Sequence, residues 1–159
     1  MFVLGASYDG SRTRFGSSTE LGALTDDRGV DGRGPIIDQP DGAIAPVSLD
    51  ARTGYAGLFV SDRLPLTRSL AAEIGLRWND EAIHLRDRLG TVLNGEHHFR
   101  RLNPGIELDW HLSNSAAFHA GFSEASRAPT PVELSCADET APCSLTNFFV
   151  GDPHLKQVV

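Results

Sequence analysis

Long hydrophobic runs are absent from this chain. No stretch approaches the roughly 18 consecutive apolar residues of a membrane-crossing helix. Positive charge is in deficit: 14 Lys and Arg stand against 21 Asp and Glu, a formal net charge of -7. A phosphate-backbone partner needs a basic stripe, so this balance argues against nucleic acid. Cysteine is scarce too. Cys136 and Cys143 are too few for a structural zinc site, which takes four ligands, and C-x6-C is not a thiol-redox spacing. Phe2-Val3-Leu4 follows Met1 with no charged n-region, no long apolar segment and no cleavage site, so we expect no signal peptide here. An exported product would then be a mature chain or a fragment.

What is present is alternation. The 159 residues, 40% hydrophobic, allow one domain with a core, and 16 glycines with 9 prolines suit turns and strands better than helices. The clearest stretch is Leu102 to Leu134. Ile106, Leu108, Trp110 and Leu112 point one way while Glu107, Asp109 and His111 point the other. After Ser113-Asn114-Ser115, the residues Ala116, Phe118, Ala120 and Phe122 share a face opposite His119, Ser123 and Arg127. A period of two is a strand period, and so short a polar turn forces an antiparallel hairpin.

The same period recurs. Phe2, Leu4, Ala6 and Tyr8 read as a strand, and Leu70, Ala72, Ile74, Leu76 and Trp78 alternate against Ala71, Glu73, Gly75, Arg77 and Asn79. Thr53 to Arg63 is apolar on both faces, so its phase is ambiguous, and Pro65 ends its ladder. From Gly10 to Arg52 the signal dissolves into Gly, Pro, Asp, Ser and Thr, and Thr25 to Gly34 could hardly pack a core. Some local β-structure between Phe15 and Leu24 is compatible with the residues. We therefore expect strands near 2–9, 53–63, 69–79, 103–112 and 115–126 in one antiparallel up-and-down meander.

The connections run long (Gly10 to Arg52), short (Leu64 to Arg68), intermediate (Asp80 to His98), short (Ser113 to Ser115) and long (Ala128 to Leu155). All the long ones then fall on one rim. A two-sheet sandwich has no reason to sort its loops this way, whereas a transmembrane β-barrel does. Apolar runs of roughly 8–10 residues also match the ~9–11 that a tilted strand needs to cross a bilayer. If the chain leaves each short turn travelling outward, Tyr8 and Trp78 lie near outer strand ends and Trp110 near an inner one. Those are the two interface levels at which amphipathic rings collect. The opposite, polar face holds Glu73, Arg77, Glu107, Asp109, His111 and His119, expected to line the lumen. Arg77 is expected to lie nearer Glu107 than His111, as a cross-strand pair contributing about 0.2–1 kcal/mol.

Short motifs now carry a resemblance. Phe122-Ser123, then Arg127-Ala128-Pro129-Thr130 and Glu133-Leu134, resembles the R-A-P-T/S…E-L box of TonB-dependent outer-membrane receptors. Gly151-Asp152-Pro153-His154-Leu155-Lys156 is similar to the N-P-x-L-K-x-E box that opens the following strand, with Asp152 in place of Asn. Ile74-Gly75-Leu76-Arg77-Trp78 and Asn103-Pro104-Gly105-Ile106 resemble the family's G-L-R-aromatic and S-P-x-x-G strand motifs. Together the matches span roughly residues 55–156. The resemblance implies that residues 1–159 are a piece of such a barrel, without plug domain or energy-coupling box, in the outer membrane of a Gram-negative bacterium. It implies no enzymatic activity and no cofactor. Its implied partners are outer-membrane lipid, the TonB protein and a scarce solute such as a ferric siderophore.

Glu107 and Asp109, two apart on one face, have acid/base spacing, but nothing in the sequence buries them and a polar lumen wall explains them. In haem-uptake members of the resembled family an axial histidine lies between the two boxes; this chain has none between Pro131 and Pro153, and His154, inside the second box, is the disfavoured remaining candidate. His97 and His98 are adjacent and so point to opposite faces of a strand. Cys136 and Cys143 read as a loop disulfide in an oxidising compartment, contributing about 2.5 kcal/mol in the chain-entropy model. Arg127 reads either as an anchor of the rim or as a charge paired to a carboxylate. The remaining alternative is a secreted or periplasmic β-sandwich binding carbohydrate or protein. It requires the apolar faces Leu70/Ile74/Trp78 and Ile106/Trp110/Phe118 to be covered by a second sheet.

Overall fold

A computed structural model describes residues 1–37, 46–137 and 155–158. Five long strands form one sheet: β1 (Phe2–Ser17), β4 (Val47–Pro65), β5 (Leu70–Asp87), β6 (Gly95–Ser113) and β7 (Ala116–Ser123). Their order is β1-β4-β5-β6-β7 and every neighbouring pair is antiparallel. This is the expected meander. A separate hairpin, β2 (Thr19–Leu24) with β3 (Val30–Ile37), is inserted between β1 and β4. One short helix, α1 (Pro131–Ser135), follows β7.

The register puts even-numbered residues of all five strands on one face. Leu4, Val60, Leu76 and Pro104 are in line, as are Phe2, Asp62, Ile74, Ile106 and Phe122. That face is apolar and uncovered: Leu4 is 72% exposed, Leu76 40%, Ile106 47% and Phe122 60%. A sandwich buries such a face under a second sheet at about 10 Å. No second sheet covers it among the described residues, and the sandwich reading falls.

Tyr8 lies level with Ala56 and Asp80 at one edge of the apolar band, with Trp78 one row inside that edge. Trp110, in line with Leu70 and Phe118, marks the opposite edge. The turn at Leu66–Ser69 lies on the Trp110 side, held by the amides of Leu66 and Thr67 donating to the Leu70 carbonyl at 2.9 and 3.0 Å. Asn114–Ser115 closes the second turn on that side. The β2–β3 hairpin, the 88–94 connection and α1 all lie beyond the other edge.

The strands are longer than the sequence suggested. β1 runs on to Ser17, β4 begins at Val47, β5 continues to Asp87 and β6 starts at Gly95, so the connection expected at 80–98 shrinks to 88–94. The reason is a change of phase. Beyond the row of Tyr8, Ala56 and Asp80, the apolar side chains switch to odd positions. Val47, Leu49, Ala51, Ile83 and Leu85 bury against Leu93 and Leu134, with Phe15, Phe99 and Leu155 alongside. Leu49 and Ile83 are fully buried, each worth roughly 1.5–3 kcal/mol. The core therefore sits on the inner face, under the rim that carries the long connections.

The Thr25–Gly34 segment packs no core, as expected, but is not structureless. The Thr25 amide donates to the Gly29 carbonyl at 3.0 Å, the Thr25 hydroxyl bonds the Asp27 carboxylate, and Arg28 takes a left-handed φ of 65°. An aspartate that hydrogen-bonds the backbone two residues on is a turn former, and Asp27 accepts from the Gly29 amide at 3.2 Å.

Candidate functional site

The odd-numbered face of the sheet is the polar wall, and its centre is Arg77. Phe59 lies between Gly5 and Arg77 across the strands, and Arg77 lies opposite Asn103. The guanidinium sits 5.9 Å from the Tyr55 ring centroid and 5.8 Å from that of Phe59. It donates to the Tyr55 hydroxyl at 2.8 Å, Asn79 Oδ1 at 2.9 Å and Ser7 Oγ at 3.1 Å. Tyr55 in turn donates to Asn79 Oδ1 at 2.6 Å. A guanidinium held between aromatic faces and fixed acceptors keeps its charge and loses its rotamer freedom. Glycine makes the reach across β4 possible, because a Cβ at Gly57 would sit 2.8 Å from Arg77 Nη2 and 2.7 Å from Ser7 Oγ.

Beside Arg77 the wall opens into a depression of about 460 Å³, lined by Tyr55, Phe59, Arg77, Asn79, Asn103 and Ser126 among others. Asn103 is buried, and its Nδ2 donates to Ser126 Oγ at 3.1 Å while its Oδ1 has no protein partner. The hollow thus offers a cation and hydroxyls on an aromatic floor, which can hold a polar solute.

Nearer the short turns the wall is anionic. Glu73 lies directly opposite Glu107, an arrangement that like charges disfavour. Asp109 takes Arg63 Nη2 on Oδ2 at 2.8 Å and His119 Nδ1 on Oδ1 at 2.6 Å. Ligand atoms of Glu107, Asp109 and His119 all lie within 4.8 Å of one another. Both Asp109 oxygens are already engaged by a guanidinium and an imidazole, so the group is an ion-pair network rather than a free acid/base pair. Arg77 and Glu107 are not paired: Arg77 turns instead to Tyr55, Asn79 and Ser7. Glu73, Arg77, Glu107, Asp109, His111 and His119 all lie on this odd-numbered face. His97 and His98 diverge, His97 stacking on Phe99 and His98 standing edge-on to His84, each at 6.4 Å between ring centroids.

At the rim, the Arg127–Leu134 segment folds back over the inner face. Thr130 caps α1 by accepting the Glu133 amide at 3.3 Å, while the Glu133 carboxylate accepts the Thr130 amide at 2.6 Å, a reciprocal capping box. Arg127 grips the same carboxylate at two points, Nη1 to Oε2 at 3.1 Å and Nη2 to Oε1 at 3.2 Å. These bonds hold the Glu133 carboxyl down at about 2, the Arg127 fork first and the Thr130 amide second. Ala128 and Pro129 are buried, and Leu134 enters the core. Arg127 also exchanges both backbone hydrogen bonds with Val158, each at 3.1 Å, and Leu155 packs on the core. Cys136 is buried and is not a free thiol. Cys143, Asp152, Pro153 and His154 lie outside the described residues.

The family model described as TonB dependent receptor-like, beta-barrel, matches residues 2–158. The chain belongs to this family. Searches of curated proteins and of solved structures gave no match. TonB-dependent receptors are receptors and transporters of the Gram-negative outer membrane. Within this TonB-dependent barrel segment, sequence reasoning missed Tyr55, Phe59, Asn79, Asn103 and Arg63. The first two were hidden because residues 53–63 are apolar on both faces. Asn79 and Asn103 share the odd-numbered alternation of Arg77, and that parity could have found them.

Proposed function

We propose that this chain is part of the wall of a receptor that captures a scarce solute, such as a ferric siderophore, and passes it inward under TonB control. The observation that carries the reading is the Arg77 hollow, a fixed cation flanked by aromatic rings and by the Tyr55 and Ser126 hydroxyls. Ferric siderophore complexes are commonly anionic and rich in oxygen acceptors, so a preset guanidinium and hydroxyls suit them. The long connections beyond Tyr8 and Trp78 supply the outer capture surface, and the anionic stretch at Glu73, Glu107 and Asp109 lies on the exit side. Tyr8, Trp78 and Trp110 serve as interface aromatics. Cys136 pairs with Cys143, tying down the loop after α1.

The test is uptake of ferric siderophores by iron-starved cells carrying the receptor, with Arg77→Gln or Tyr55→Phe in its barrel. The reading expects energy-dependent uptake that falls several-fold in R77Q while the amount of receptor in the outer membrane is unchanged. Uptake indifferent to both substitutions across a panel of solutes would move the binding function away from this wall.

A further inference from the structure

The even-numbered face changes character above the apolar band. The row holding Tyr8, Ala56, Asp80 and Arg100 closes the band, with Asp80 and Arg100 paired at 2.7 Å. The next row is small: Gly10, Gly54 and Ala82, with His98 at its end. Above it come Arg12, Arg52, His84 and Glu96, then Arg14, Asp50 and Arg86. Arg88 follows β5 and reaches Asp50 at 3.7 Å. In a chain whose formal charge is -7, this is a concentrated basic field pointing out of the barrel.

Its internal compensation is incomplete. Asp50 is the buried centre, paired with Arg12, with Arg14 at 3.6 Å and with Arg88. Asp80 is taken by Arg100, and Glu96 faces His84 at 3.3 Å. Arg12, Arg14 and Arg88 converge on the single carboxylate of Asp50, and Arg52 and Arg86 stand in the same rows, so five positive charges meet one negative, a surplus of four. All five are exposed.

The same place is shaped. An open depression of about 670 Å³ lies between the Tyr8 row and the Arg12 row, floored by Gly10, Gly54, Ala56 and Ala82, roofed by Arg12, Arg52 and His84, and bounded below by Asp80, whose charge Arg100 takes. Four residues along a strand separate Tyr8 from Arg12, about 13 Å of strand and roughly 10 Å along the membrane normal at a 40° tilt. Arginine side chains can lean down that distance toward the interface. The headgroup zone is about 5–7 Å deep on each side of the hydrocarbon. A phosphate resting on this floor would therefore meet guanidinium groups while its acyl chains lay on the exposed band of Leu4, Leu58 and Leu76.

We infer that this outward depression is a binding site for a phosphate-bearing headgroup of an outer-leaflet lipid, held by Arg12 and Arg52, with Arg86 in the row above adding to the positive field. Continuity with the lipid-facing band selects a lipid over a soluble anion, and forked guanidiniums are suited to phosphate. The inference rests on the membrane reading, not on which solute the lumen takes.

The experiment uses the whole receptor that carries this segment, purified in detergent micelles, with lipid A as the phosphorylated probe and its dephosphorylated form as the control, measured by fluorescence anisotropy. The parent should prefer the phosphorylated lipid, with affinity falling as salt rises. R12S/R52S/R86S should lose on the order of a hundredfold in affinity, whereas R12K/R52K/R86K should keep most of it. The charge-matched R28S/R33S/R68S variant, altered at turns and in the hairpin, should bind as the parent does. Equal affinity for both lipids, equal weakening by the two serine triples, or full competition by millimolar inorganic phosphate would each overturn the site. Because siderophore uptake is read separately, failure here and failure of the uptake reading remain distinct.

Discussion

The Arg77 guanidinium donates to the Ser7 hydroxyl at 3.1 Å, crossing the whole width of β4 above Gly57. Three strands are thereby tied at one level of the odd-numbered face by a single side chain. A methyl group at position 57 would collide with both partners, and both can move aside. Gly57→Ala should therefore cost only about 1 kcal/mol of stability while displacing Arg77 from Ser7. Urea unfolding in detergent should show that G57A and S7A are not additive, since both remove the same bond. Additive effects would mean that the crossing does not couple the strands.

The rim box should be acid-sensitive in a defined window. Glu133 has its carboxyl lowered from 4.5 to about 2 in the folded chain. Its stabilising contribution is full above about pH 4.5 and is lost as pH falls through about 2, because the unfolded chain takes up the proton first. The side chain is 34% exposed, so solvent screening limits the effect to roughly 1 kcal/mol. Thermal melts between pH 5 and 2 should show this loss in the parent, and Glu133→Gln should start lower and lack that step.

Much of this fold was legible, and the failures have physical causes. Strand alternation works where one face meets lipid and the other water, so β5 and the β6–β7 hairpin read cleanly. It fails where both faces are apolar, as at Tyr55 to Val60, because inner aromatics there contact Arg77 rather than solvent. It also fails where the apolar side changes, at Asp80 and again near Arg52. A reader following Leu70, Ile74 and Trp78 expects the next apolar residue at an even position and finds Ile83 and Leu85 instead. The outward arginines were lost for a related reason: net charge sums both faces and both ends of the strands, while a patch is a property of register.

The capping box, by contrast, was present as letters without mechanism. Thr130 and Glu133 have S/T-x-x-E spacing, and the pairing of Arg127 with a carboxylate, left open by the sequence, is with Glu133 itself. One carboxylate therefore caps a helix and fixes the Arg127 segment that bridges to Val158.

The lipid-facing assignment predicts a depth profile. Ile74 lies midway along the apolar band and Leu112 beside the short turns at its edge. Ile74→Arg should cost about 2–4 kcal/mol in the barrel reconstituted in vesicles, and Leu112→Arg about 0–1. Equal costs, or a larger one at Leu112, would place Ile74 against protein rather than hydrocarbon.

The last prediction concerns residues 1–159 expressed alone. In the five-stranded sheet, β1 and β7 each have a partner on one side, and β7 is exposed along its whole length. Closed membrane barrels need about eight strands. In hydrocarbon, unpaired backbone groups at two open edges would cost several kcal/mol each, and in water the uncovered band from Leu4 to Phe122 would favour association. The expected product is therefore inclusion bodies or a detergent-dependent species without uptake activity, unless further strands complete the sheet. Size-exclusion chromatography with and without detergent decides the matter. A monodisperse monomer that unfolds cooperatively in detergent-free buffer would mean that the even-numbered face is covered by protein, and the lipid-facing reading of Leu76, Ile106 and Phe122 would be wrong.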